Sequence, residues 1–126
     1  GNPIQWTATP SGTHFTTLNE AKAPNTSTYI QADSADLAEV LSVTDPPQNA
    51  IKIDAVIPVI YGYKLGSGPS DIQMGFNISG TNYNGPTRPM SATLGPMIEI
   101  YERNPATGNF WTLGDVTAAS LLLKSK

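Results

Sequence analysis

Between Ile51 and Tyr63 the chain places an apolar or aromatic residue at every second position: Ile51, Ile53, Ala55, Ile57, Val59, Tyr61 and Tyr63. Lys52, Asp54, Pro58 and Lys64 fall in the alternate phase. A period of two is the spacing of side chains on one face of a strand, whereas a helix repeats every 3.6 residues. The run therefore predicts a long antiparallel strand with its odd-numbered face in the core. Pro58 removes one ladder donor and marks a bulge or an edge. Gly66-Ser67-Gly68-Pro69-Ser70 reads as a turn, after which Ile72, Met74, Phe76 and Ile78 resume the alternation. Together the two runs predict the long hairpin of the domain, with Tyr61 and Tyr63 ending the core.

The remaining segments are shorter. Residues 1–27 carry Pro3, Pro10, Gly12 and Pro24 among Thr and Ser, which suits an N-terminal arm or edge strand; Ile4 and Trp6 flank Gln5 as a short strand, with Phe15 a further apolar anchor. Thr28–Gln31 reads as a strand. Asp36–Val43 fits a strand or a helical face capped by Asp33 or Ser34; its shortness and the Thr44-Asp45-Pro46-Pro47 stop favour the strand. Gly80-Thr81-Asn82 is expected as a tight turn and Asn84–Pro96 as a loop. Met97–Arg103 should be a strand with Ile98 and Ile100 inward and Glu99 outward. Thr112 or Asp115 can cap one helical turn, and Leu121-Leu122-Leu123 closes the chain as a last strand. Strands about ten residues apart, punctuated by Gly and Pro, predict an all-β fold: an antiparallel, jelly-roll-like β-sandwich with at most one short helical turn near the C-terminus. With no repeat and no linker, residues 1–126 are expected to form one domain.

Composition narrows the function. Charged residues are only 13% of the 126 and the net charge is −3, about half the ~25% charged share of ordinary domains. Thr, Ser and Asn take their place, and hydroxyls cost less to bury against a partner than charges do. The seven Lys and Arg are scattered, so no cluster neutralises a run of phosphates and nucleic acid is not an expected partner. No apolar run approaches the ~20 residues of a membrane span, and Gly1-Asn2-Pro3 lacks the basic start of a signal peptide.

Catalytic chemistry finds no foothold, and the sequence reads as a non-enzyme with no catalytic residues, metal or cofactor. Cysteine is absent, which removes disulfides, thiolate zinc sites and cysteine nucleophiles. His14 is the only histidine; in a Ser/Thr-rich arm hydroxyl neighbours exist by composition alone, and it reads as a surface histidine. Asp33-Ser34-Ala35-Asp36 lacks the Gly and terminal Glu of a calcium loop. Glu99 and Glu102 face opposite ways, and Asp54 and Asp71 read as solvated neighbours on the long hairpin, so neither makes a glycosidase pair. Trp6, Trp111, Tyr61, Tyr63, Tyr83 and Tyr101 would stack sugars only if several shared an exposed face, which keeps a carbohydrate-binding module as an alternative.

Asn104-Pro105-Ala106-Thr107-Gly108-Asn109-Phe110-Trp111-Thr112-Leu113-Gly114-Asp115-Val116 resembles the ending of small virion structural proteins of tailed bacteriophages. Upstream, Trp6, Thr28-Tyr29-Ile30, Asp36-Leu37, Ile53–Val56 and Gly80-Thr81-Asn82-Tyr83-Asn84-Gly85 follow the order of short elements in those proteins. The resemblance implies a β-sandwich on the outer surface of the head or on the tail. The expected function is capsid decoration or cement, binding the major capsid protein and other copies of itself as a homo-oligomer. A tail-tip, collar or fibre-attachment component is the alternative. Ile4, Trp6 and Phe15 are the candidate contact residues, while Pro105 and Gly108 should form the turn that lets Trp111 plug one end of the sandwich.

Overall fold

A computed structural model of the chain describes residues 4–9, 11, 27, 29–49 and 52–126. Its strands are β1 (Thr7–Thr9), β2 (Tyr29–Gln31), β3 (Ala38–Leu41), β4 (Val59–Gly62), β5 (Asp71–Ile78), β6 (Thr81–Tyr83), β7 (Thr87–Pro89), β8 (Gly95–Ile98) and β9 (Ala119–Ser125), with a short helix α1 (Leu113–Ala118) before β9. The fold is thus mostly β, all pairings are antiparallel, and the helical turn falls where the Thr112 cap predicts it. The Thr112 hydroxyl accepts from the Asp115 N–H and the Asp115 carboxylate from the Thr112 N–H, a closed capping box.

The main sheet is built on β5 and β9, the two longest apolar strands. They pair from Ile72↔Ser125 to Ile78↔Ala119, and β3 adds to the far side of β9. Ser79 and Gly80, both with positive φ, turn β5 into β6 as the two-residue loop that matches strand twist. The turn is therefore one residue earlier than expected. The segment that reads as a loop after it holds β7, because Phe76↔Tyr83 and Gln73↔Thr87 put three residues, Asn84–Pro86, opposite two of β5. β6 and β7 are one edge strand broken by a bulge. A Cβ on Gly85 would lie 1.9 Å from the Met74 carbonyl oxygen, so only glycine fits the bulge.

The predicted long hairpin does not form. β5 pairs with β6, β7 and β9, while the 51–63 run contributes β4, which pairs with β8. The Val56↔Tyr101 bridge keeps the Val59↔Ile98 register, so the ribbon runs from Val56–Gly62 against Gly95–Tyr101. The Tyr101 N–H donates to Val56 O at 3.0 Å and the Glu99 N–H to Pro58 O at 3.2 Å. Proline costs little here because each strand of a two-stranded ribbon is an edge. Asp54 pairs with Lys52 and Asp71 with β7, so the expected Asp54–Asp71 proximity is lost with the hairpin.

The core has two adjoining parts on one face of the main sheet. Ile72, Met74 and Leu123 pack with Ile30 of β2, Ile60 of β4 and Met97 of β8. Phe76, Ile78, Trp111 and Ala119 pack with Ile53, Val56, Tyr83 and Tyr101. The β4–β8 ribbon thus lies across the main sheet as a second layer, and the small β1–β2 sheet sits on the same face, a sandwich-like arrangement. The reverse face is buried at Val40, Asn77 and Leu122.

Candidate interaction surface

The side chains of the ribbon alternate between the core and the outside, and the phase is the reverse of the expected one. Val56, Ile60 and Gly62 point inward on β4, opposite Tyr101, Met97 and Gly95; Pro58 and Glu99 make the fourth inward pair. The odd-numbered face therefore turns outward from Ile57 onward. Ile57 is 50% exposed, Val59 49%, Tyr61 54%, Ile98 55% and Ile100 64%, and Tyr63 is exposed as well. Tyr61 and Tyr63 do not end the core, and Ile98 and Ile100 are not inward. Only Ile53, before the phase change, packs on the core as expected, while Ile51 lies outside the described residues.

Two polar contacts and one aromatic stack explain the reversal. The Glu99 carboxylate, buried beneath the ribbon, meets the Arg88 guanidinium of β7 in a two-pronged pair, with Nε at 2.5 Å and Nη2 at 3.3 Å. That carboxylate raises the Arg88 pKa further through its hydrogen bond and charge. Beside it the Tyr101 hydroxyl donates to the Met74 carbonyl at 2.6 Å, and burial, then the Glu99 charge, pushes its pKa up. The Tyr101 ring stands edge-on to Phe76 at 4.9 Å, and Phe76 edge-on to Trp111 at 5.3 Å. Fixing Glu99 and Tyr101 inward forces Ile98 and Ile100 outward, because neighbours on a strand face opposite ways.

The outer face consists of cross-strand pairs with no charged member. Val59 stands opposite Ile98 and Tyr61 opposite Pro96, and the same register sets Ile57 against Ile100. The inner face of this ribbon holds two glycines, a proline and a glutamate, so its outer face is the more apolar. Beyond Tyr61 and Tyr63 a cleft of about 790 Å³ opens toward β2, walled also by Tyr29 and rimmed by Gln31, Asp33 and Asp71.

The sequence-derived candidates are dispersed. Ile4 is exposed and bridges to Glu39 of β3. Trp6 is half-buried, packs on the Ile72 core and donates its indole N–H to the Leu37 carbonyl, which makes it an anchor of the N-terminal segment. Glu39 assists, accepting from the Gln5 and Trp6 N–H groups at 2.9 and 3.2 Å. Phe15 and His14 lie outside the described residues. Pro105 and Gly108 belong to a turn held by the Asn104 carbonyl, which accepts from Thr107 and Gly108, and Gly108 has the positive φ expected of it. Trp111 is the buried plug, its indole N–H donating to the Tyr101 carbonyl at 2.9 Å. The expected sugar-stacking set is not assembled: Trp111 and Tyr101 are committed to the core, while Trp6, Tyr61 and Tyr63 border the cleft. Sequence reading missed the outer ribbon face, although the interleaved apolar residues Val56, Ile60, Met97 and Tyr101 were its signal.

Among the described residues no group of three or more His, Asp or Glu side chains gathers as a metal site, and no helix is long and apolar enough to cross a membrane. Compared with known proteins, the chain matches no family model, no curated protein and no solved structure.

Proposed function

We propose that this chain is a structural protein of a tailed-bacteriophage particle, a capsid decoration or cement protein that works by binding protein. The observation that carries the protein-binding part is the outer face of the β4–β8 ribbon, where Ile57, Val59, Tyr61, Tyr63, Ile98 and Ile100 stand uncovered. An apolar surface of this kind is stable in water at a cost that association removes. The choice of a virion rests on the resemblance of residues 104–116 and the ordered matches before it. In this reading no residue is catalytic and no cofactor is used, and the partners are the major capsid protein and further copies of the chain. Avidity suits such a module, since weak contacts repeated around a shell add up without any one being strong. Cosedimentation of the purified chain with expanded head shells of its own phage tests the placement; retention on shells supports it. Retention on tails alone would move the chain to a tip, collar or fibre-attachment role.

One observation favours a second reading. Tyr29, Tyr61 and Tyr63 line a single cleft together with Asp33, Lys64 and Asp71, a mixture of aromatic and charged side chains that suits a neutral saccharide. Quenching or shifting of tyrosine emission by an oligosaccharide, abolished in Tyr63→Ala, would support this reading over the first.

A further inference from the structure

We infer that the outer face of the β4–β8 ribbon is covered by the same face of a second copy of this chain, giving a two-fold dimer. The inference rests on the protein-binding reading above and names the partner at that surface. Area is the first argument. At ordinary residue sizes the six exposed residues present roughly 550–650 Å², at the top of the usual ~300–600 Å² range for a monomer's largest patch and approaching the ~800 Å² per partner of a standard interface. Pro96, exposed opposite Tyr61, extends the patch.

Charge is the second. The chain carries −3 overall, yet along both strands the patch holds no ionised side chain. Asp54 and Glu102 lie beyond its ends, Lys64 takes the alternate half-buried register, and Glu99 is turned inward onto Arg88. A partner chosen by charge would find nothing to pair with here, whereas a second copy sets apolar against apolar with no like charges opposed. Shape agrees: a twisted two-stranded ribbon stacks on another at the ordinary ~10 Å sheet spacing, and Tyr61 and Tyr63 carry larger side chains than Val59 and Ile98. A two-fold axis across the patch sets the large side chains of one copy against the smaller ones of the other, with the phenol hydroxyls left at the wet rim.

Sedimentation velocity of the full chain from micromolar to sub-millimolar concentration tests this. The expected result is a species of twice the 13.4 kDa chain mass, which Tyr61→Lys and Ile98→Lys each return to single mass with unchanged far-ultraviolet circular dichroism. Because the chain has no cysteine, a single one reports proximity. Val59→Cys should form a disulfide-linked pair under mild oxidation, and Ser79→Cys, in the exposed β5–β6 turn of the other sheet, should not. A wild-type chain of single mass throughout, or a dimer that both lysine variants and Val59→Cys leave unaffected, would overturn the inference. A single-mass chain that still binds head shells sinks the dimer alone; a dimer that binds no part of the particle sinks the virion reading alone.

Discussion

Glycine 85 shows how closely single residues set this fold. Its α-carbon sits in the bulge between β6 and β7, under the Tyr101 hydroxyl and against the Met74 carbonyl that accepts from it. Gly85→Ala pushes a methyl into backbone, so it should lower the unfolding free energy by about 1–3 kcal/mol, read as a lower urea midpoint. Asp36 acts through charge. Its carboxylate meets Lys126 Nζ at 2.6 Å and Lys124 Nζ at 3.3 Å, and those hydrogen bonds and charges hold its pKa below the ordinary 3.8. A carboxyl depressed in the folded state contributes stability that is complete above its unfolded pKa and is lost as pH falls through the folded one. Asp36→Asn, which tolerates the positive φ at this position, should therefore weaken the fold slightly at neutral pH and leave it unchanged at the acid end. Denaturant midpoints across the acid range read this out as two curves that converge below the ordinary carboxylate pKa.

At the scale of elements, what could be read from the sequence depended on whether one alternation stood alone. β5 and β9 were legible as strands because Ile72, Met74, Phe76 and Ile78 alternate with polar or small residues, and the Leu121–Leu123 run suits a strand buried on both faces. The Thr112–Asp115 cap and the Gly108 turn were legible because their chemistry is local. The ribbon was not, since Val56 and Ile60 interleave with Ile57, Val59 and Tyr61 and both phases qualify as a core face. Which phase faces in was settled by Glu99–Arg88 and Tyr101–Met74, contacts between strands distant in sequence that no periodicity encodes. Strand pairing failed for a related reason: nothing in Gly66–Ser70 distinguishes a hairpin turn from a crossover between layers. The β5–β6 turn offers a test of the local chemistry. Ser79 holds φ 52 beside Gly80 at φ 83, a conformation asparagine adopts more readily than serine. Ser79→Asn should stabilise the domain by about 0.5 kcal/mol, a rise of ~2 °C in Tm by calorimetry.

For the whole molecule, the two faces of the β4–β8 ribbon reverse the usual distribution of side chains. The inner face spends positions on Gly62, Gly95, Pro58 and Glu99 beside Val56, Ile60, Met97 and Tyr101, while the outer face carries only apolar and aromatic residues. A chain that only needed to fold would gain from the opposite arrangement. The proposed function draws on the hydroxyl-rich, lightly charged composition and the 104–116 segment, and the sequence offers Ile4, Trp6 and Phe15 as contact residues. Trp6 fastens the N-terminal segment to β3, and the proposed contact surface is formed by a run that reads as core. Hydroxyl-radical footprinting of Tyr61 and Tyr63 tests this most directly, comparing the chain diluted to single mass with the chain on the assembled particle. Modification of both tyrosines should fall severalfold on assembly. Equal modification of Tyr61 and Tyr63 in the two states would contradict the account, because the outer ribbon face would then be uncovered on the particle.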